Sequence, residues 1–188
     1  MDVDLHRLPA EETPVRQFVR RLWLPYHREL EATVDDHELA DVDLVEKELR
    51  FRIDRLDADG YRLWIAADGG TDEASSDGAP EGTPFASTAG NLIGFISTEI
   101  DRSPSVFDRP DRLVIGDVYV REGYRGSGLA RVLVARATAR AREAGCDELA
   151  LDVDVDNDRA VAFYEKLGFE TRRHRMTVAV EDLSSQSP

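Results

Sequence analysis

The segment Arg125-Gly126-Ser127-Gly128-Leu129-Ala130 joins the apolar run Leu113 to Val120 to a helix-patterned stretch, and its chemistry is that of an anion cradle. A strand that hands a glycine turn to a helix start leaves backbone N–H groups unpaired and pointing one way. The helix dipole adds partial positive charge at the same place. Gly126 and Gly128 have no Cβ, so the backbone can approach phosphate oxygens closely and take positive φ. A pyrophosphate is the ligand such a turn fits. Arg121, Arg125 and Arg131 make the stretch locally basic in an acidic chain and lie near enough to meet phosphates. Arg136, Arg140 and Arg142 read as the solvated face of the helix that follows.

Beyond that helix and one more strand comes a second block, Asn157-Asp158-Arg159-Ala160-Val161-Ala162-Phe163-Tyr164-Glu165-Lys166-Leu167-Gly168-Phe169. The order strand, Arg-x-x-Gly-x-Ala, helix, strand, Asn-x-x-Ala-x-x-x-Tyr-x-x-x-Gly-Phe resembles the GNAT superfamily of N-acetyltransferases. The resemblance covers about Leu113 to Phe169, and ahead of that it is only topological. It implies an α/β fold, a central mixed sheet flanked by helices. It also implies acetyl-coenzyme A as co-substrate, no metal, and direct transfer of the acetyl group to a primary amine. In that light backbone N–H groups across Arg125, Gly126, Ser127, Gly128, Leu129 and Ala130 hold the pyrophosphate. The strand end Val118, Tyr119 and Val120 pairs with the pantetheine arm and directs an N–H at the thioester oxygen. Tyr164 takes the place of the family tyrosine that protonates the departing sulfur, and Asn157 that of the asparagine that contacts the coenzyme arm. A phenol near pKa 10 suits the first role, because it keeps its proton until a thiolate forms beside it. Asn157 also reads as a helix cap, which is compatible with the second role.

An amine near pKa 10 must lose a proton before it attacks, often to a carboxylate acting through water. Asp117, on the central strand just before the phosphate turn, is the first candidate for that base, with Glu99 and Asp152 as alternatives. Two other readings fail. Asp154-x-Asp156-x-Asp158 with Glu165 at the twelfth position has the spacing of a calcium loop, but its sixth position is Arg159 where a glycine is needed. The histidines His6, His27, His37 and His174 show no ligand spacing. Cys146 follows a helix-ending glycine and reads as a small packed residue.

The elements that must position these groups are legible in outline. Val3 to Leu8 reads as a strand. Thr13-Pro14 opens a helix whose apolar positions Val15, Phe18, Val19 and Leu22 keep helical spacing until Pro25 breaks it. Tyr26 to Val34 and Glu38 to Leu49 read as further helices, Tyr61 to Ala67 and Asn91 to Ile100 as strands. Gly128 to Ala144 is a helix closed by Gly145. The alternation over Glu148 to Val155 predicts a strand, Arg159 to Leu167 a helix, and Arg175 to Val180 a last strand. Residues 1–183 form one expected domain, with an acidic loop over about 68–90 and a fraying tail at 184–188.

Of 24 basic residues only Lys47 and Lys166 are lysines, and the formal charge is −14. That charge repels phosphates and argues against nucleic acid as a partner. The absence of a signal pattern and of a long apolar run predicts a cytoplasmic protein with no membrane partner. The acceptor pocket is expected from about Leu22 to Glu38 and the later loops, where Asp35, Asp36 and Glu38 suit a cationic amine. A homodimer is the default assembly for such an enzyme. Two rival functions are a non-catalytic acyl-coenzyme A binding module and an acidic interaction protein with an empty ligand site. The pairing of Asn157 with Tyr164 favours the enzyme.

An acidic, lysine-poor surface is what molar salt selects, because at about 1 M the screening length falls to roughly 3 Å and crowded carboxylates stop repelling one another. The composition therefore predicts an extreme halophile, of archaeal type. The thermal midpoint is expected to rise steadily between about 0.2 M and 2 M potassium chloride. A flat or falling midpoint in a scanning calorimeter refutes that expectation.

Overall fold

The computed structural model describes residues 2–34, 37–69 and 91–184. Most of the expected acidic loop, the carboxylates Asp35 and Asp36, and the end of the expected tail lie outside the described residues. The chain gathers into two compact units, Met1–Asp152 and Val153–Pro188.

In the first unit five strands form one sheet in the order β1-β2-β3-β4-β5: β1 (Val3–Arg7), β2 (Tyr61–Asp68), β3 (Leu92–Asp101), β4 (Arg112–Val120) and β5 (Glu148–Leu151). The first four pair antiparallel, while β5 joins β4 in parallel, as a strand must when a helix carries the chain back. Helices α1 (Glu12–Phe18), α2 (Leu24–Glu31) and α3 (Leu44–Asp57) precede the central strands, and α4 (Leu129–Glu143) is the β4–β5 crossover. Ile65 stands opposite Phe95 and Phe95 opposite Tyr119 across the ladder. These side chains, with Leu63, meet Val15, Phe18, Leu22, Leu49 and Leu56 from the helices in one core. On the other face Leu129 and Leu133 of α4 close over Gly94, whose Cβ position lies 2.6 Å from the Tyr119 carbonyl oxygen.

Several boundaries depart from the sequence expectation. Pro25 does not break its helix. The turn ahead of it widens into a π-helical stretch, Val19–Trp23, in which the Leu24 N–H bonds the Val19 carbonyl. The wider turn relieves the press of the proline ring on the carbonyl of Arg21, four residues back. The third helix begins at Leu44 rather than Glu38, because the Asp43 carboxylate caps it by accepting the Glu46 N–H at 3.0 Å. β5 stops at Leu151, and Val155 beyond it is exposed.

The second unit holds α5 (Asp158–Glu165) and α6 (Val180–Ser184). Arg175 to Val180 forms no strand: among the described residues it has no ladder partner, and Met176, Val178 and Val180 are exposed. Its alternation is real, but strand propensity is realised only against a neighbouring strand. Arg140 also departs from expectation. It is buried rather than solvated, donating to the Thr98 carbonyl at 2.9 Å and bonding the Thr98 hydroxyl and the Gly60 carbonyl, beneath the Trp64 ring. Burial brings its pKa down to about 10, so it stays charged at neutral pH.

Phe18 is fully buried, edge-on to Phe95 with ring centroids 4.9 Å apart. Phe18→Ala is expected to cost about 3–5 kcal/mol in a urea titration, through lost burial and the cavity left behind. A loss under about 1 kcal/mol places the core elsewhere.

Candidate active site

β4 ends at Val120, a single 3₁₀ turn follows over Glu122–Tyr124, and α4 starts at Leu129. The glycines in between do conformational work. Gly126 has φ 80° and Gly128, the N-cap of α4, φ 92°. A Cβ at either would meet nothing within 4 Å, so left-handed backbone rather than crowding by protein atoms is what requires glycine here. The turn uses some of its donors internally. Arg125 N–H bonds Glu122 O at 3.1 Å, Ser127 N–H reaches Tyr124 O at 3.4 Å, and Leu129 N–H reaches Ser127 Oγ at 3.4 Å. Among the described residues the amides of Gly126, Gly128 and Ala130 have no acceptor. Three amides at the positive end of a 15-residue helix are a site for an anion.

The arginines nearest this turn face inward. The Arg125 guanidinium pairs with Glu29 of α2 and its Nε donates to Val120 O at 3.1 Å. Arg121 donates to Arg21 O at 2.7 Å and to Asn91 Oδ1 at 3.3 Å. Glu29 also accepts the Tyr119 hydroxyl at 2.7 Å, and burial together with that carboxylate pushes the Tyr119 phenol up to about 12. Arg121 and Arg125 thus tie the turn to the π-helical stretch Val19–Trp23 and to α2, and Arg131, exposed in the first turn of α4, is the basic side chain left open to a ligand.

β4 outlasts its parallel partner. Its pairing with β5 ends at Ile115–Leu151, yet it continues to Val120 along β3. Arg121 N–H bonds Ile93 O at 2.9 Å, so by alternation Tyr119 also turns its backbone toward β3 while Val118 and Val120 turn theirs to the open edge. That edge is suited to pairing with an extended polar chain.

Opposite Ser97, β4 carries a bulge: Ile96 pairs with Val118 but Thr98 with Ile115, leaving Gly116 and Asp117 against one residue. The Asp117 N–H finds its acceptor in Ser97 Oγ at 2.8 Å. Gly116 is required by the same hydroxyl, which lies 2.7 Å from where its Cβ would stand. Asp117 lines a pocket of about 180 Å³ shared with Phe51, Arg52, Arg55, Tyr61 and Ser97. Burial pushes its carboxyl above the ordinary range, with Arg52, Ser97 and His37 acting in the opposite direction. A carboxylate so placed can take a proton nearer neutrality. Of the alternative bases, Glu99 lines the same pocket but is paired with Arg55 at 2.8 Å, and Asp152 is exposed just past β5.

In the second unit Asn157 caps α5, its Oδ1 accepting the Ala160 N–H at 3.1 Å. Tyr164, half-buried, stands edge-on to Phe163 and Phe169, with centroids 5.2 and 5.4 Å away. Its ring is therefore fixed by packing on two sides.

The model of the acetyltransferase (GNAT) family matches residues 43–169. The chain belongs to that family. It is 40% identical over 93 residues to a mycothiol acetyltransferase of Thermobispora bispora, which covers 48% of this chain and 30% of that protein. It is 38% identical over 101 residues to a streptothricin acetyltransferase of Streptomyces lavendulae, 53% of this chain and 50% of that protein. The chain thus spans half or less of these two relatives. Among solved structures, the aminoglycoside-type enzyme AAC(6')-Iy with a bisubstrate analogue, CoA-S-monomethyl-acetylneamine, superposes with TM-score 0.63 at 19% identity, covering 95% of this chain and 98% of that one. That likeness is one of fold.

Sequence reading missed Glu29, Tyr119 as a hydrogen-bond donor, Ser97, and the buried pair Glu48–Arg52. Only the last left a signal, opposite charges four residues apart on the apolar face of α3. It also missed a histidine pair. His27 Nδ1 lies 2.9 Å from His37 Nε2 with the rings stacked, and burial, His37 and Arg52 bring His27 down to about 4. The unfolded chain, near 6.5, takes up that proton first. Stability from neutral His27 is therefore present above about pH 6.5 and lost as pH falls toward 4. His27→Gln is expected to flatten the loss between pH 7 and 5 in denaturant titrations, and an imidazole resonance that titrates near 6.5 in the folded protein refutes the assignment.

Proposed function

We propose that this protein is an acetyl-coenzyme A-dependent N-acetyltransferase that passes an acetyl group directly to a primary amine. The observation that carries the reading is the continuity of one surface. The open edge of β4 at Val118 and Val120 runs into the acceptor-free amides of Gly126, Gly128 and Ala130. An extended chain ending in a pyrophosphate needs that order of partners. The cradle is narrower than the sequence suggested, since Arg125 spends its amide and its guanidinium inside the protein. A streptothricin acetyltransferase and a mycothiol acetyltransferase among the relatives support an amine acceptor.

The bound coenzyme would supply the activated acetyl thioester. Asp117 takes the proton of the attacking amine, directly or through a water. An N–H on the open edge of β4 stabilises the oxyanion, fixed in place before the reaction and so with little reorganisation. Tyr164 gives its proton to the departing thiolate, and Asn157, besides capping α5, bonds the coenzyme arm. The lysine-poor acidic composition supports work in concentrated salt inside the cell.

Removing one hydroxyl separates chemistry from binding. Tyr164→Phe is expected to lower kcat about 10²- to 10⁴-fold in a thiol-release assay with a panel of amines, the usual worth of general acid catalysis, while calorimetric affinity for acetyl-coenzyme A stays near that of the parent. An unchanged kcat makes Tyr164 a packing residue. Coenzyme binding without thiol release from any amine makes the protein a binding module, and faster release from a longer acyl thioester replaces acetyl as the group transferred.

A further inference from the structure

The pocket that Asp117 lines holds a charged group that acetyl transfer as described above leaves idle. Arg52 and Arg55, about one turn apart on α3, both stand in its wall. Arg52 is spent inside the protein: its Nε donates to Glu48 Oε1 at 2.7 Å, a second nitrogen bonds the same oxygen, and Nη1 donates to the buried Tyr61 hydroxyl. Arg55 is not. Among the described residues its one hydrogen-bond acceptor is Glu99 Oε2, 2.8 Å from Nη2, and the two side chains of that pair are 37% and 48% exposed. An ion pair in water contributes little and exchanges partners readily. A guanidinium carries five donors in a planar fork, so most of Arg55 remains open to a ligand.

The fork is also held in place. Its carbon lies 4.6 Å from the centroid of the Tyr61 ring and 5.9 Å from that of Phe51. Glu99, the more exposed partner, has water to turn into, whereas Arg55 stays against the two rings. The charges of the pocket then decide what a ligand must carry. Glu48 balances Arg52 and Glu99 balances Arg55, which leaves Asp117 as the unbalanced carboxylate and the attraction for an ammonium. The fork of Arg55 fits two carboxylate oxygens at once. A second ammonium in its place would face a like charge. Phe51, 53% exposed although it belongs to the pocket wall, offers an apolar face for a side chain. The volume, about 180 Å³, is below the roughly 300 Å³ at which pockets for drug-sized ligands begin.

We propose that the acceptor is a small apolar amino acid, its amino group turned to Asp117 and its carboxylate bound by the Arg55 guanidinium. This rests on the reading of the protein as an acetyltransferase with Asp117 as its base. The amino nitrogen bonds the acetyl carbon as the carbon–sulfur bond breaks, giving an N-acetyl amino acid and free coenzyme thiol. Two protons leave the nitrogen: one balances the proton gained by the sulfur, and the other passes by way of Asp117 to water. Arg55 is thus the residue that selects the acceptor, and it takes no part in the proton transfers.

The test is thiol release from acetyl-coenzyme A by the full-length protein with a panel of apolar amino acids, each beside its own primary amide and its own decarboxylated amine, and with 1,4-diaminobutane. The acid is expected to exceed its amide and its amine in kcat/KM by about tenfold or more, the worth of a charge-assisted, two-pronged hydrogen bond. The amide carries the less basic amino group, so protonation works against that preference and cannot produce it. Arg55→Met should bring the acid-to-amide ratio to about one, through KM rather than kcat, Arg55→Lys should restore part of it, and Glu99→Gln should raise it by freeing the fork. Equal kcat/KM for acid and amide, a ratio that Arg55→Met leaves unmoved, or a preference for the diamine overturns the proposal. Calorimetric titration of the parent and Arg55→Met with the same amino acids and amides, coenzyme A present, keeps the two readings apart. Binding of the acid that needs Arg55, without thiol release, upholds the carboxylate site and overturns the transfer. Thiol release with no binding preference for the acid upholds the transfer and overturns the site, and neither binding nor release overturns both.

Discussion

A strand has two hydrogen-bonding edges, and β4 satisfies both for only its first half. Up to Ile115 it lies between β3 and β5; from the bulge onward one edge has no ladder partner among the described residues of the first unit. A half-open inner strand is normally a liability, since unpaired backbone invites other strands. Here its surroundings compensate. One face is sealed by the core through Tyr119, the next turn is pulled back onto it by Arg125 at the Val120 carbonyl, and the N-terminus of α4 stands where the edge ends. The binding surface is what remains after those constraints are met.

Where local chemistry decides the structure, the sequence was readable. The two glycines of the turn sit where left-handed backbone is needed, Asn157 caps the helix it was expected to cap, and α4 runs nearly as its apolar spacing indicates. Elements that depend on partners far along the chain were not. Arg175 to Val180 alternates like a strand but joins no β-ladder among the described residues. Glu29 meets Arg125 across 96 positions and Arg140 meets Thr98 across 42, and no local pattern announces such pairs. Asp117 was picked out by its place before the turn, yet the hydroxyl that receives its N–H comes from another strand and carries no sequence signature.

The arginine bias of the chain has an internal side as well as a surface one. Arg52, Arg121, Arg125 and Arg140 each place a guanidinium against two or more carbonyls, hydroxyls or carboxylates of the protein itself. A planar fork bridges several acceptors at once, which an ammonium on a flexible stem does not do. These four positions are joints between elements, so replacing them with lysine would alter the architecture and not merely the composition.

The π-helical stretch between α1 and α2 has a bearing on the far side of the molecule. A π turn amounts to one residue inserted into an α-helix, and one residue is worth about 100° of rotation at 3.6 residues per turn. Val19–Trp23 therefore sets the azimuth of α2 and, with it, the direction in which Glu29 projects. Were that extra residue deleted, an ideal helix would turn the Glu29 carboxylate about a quarter-circle away from Tyr119 and Arg125. The phasing of one helix, set beside a proline, is thus what brings a carboxylate from the first sixth of the chain to the rim of the phosphate turn.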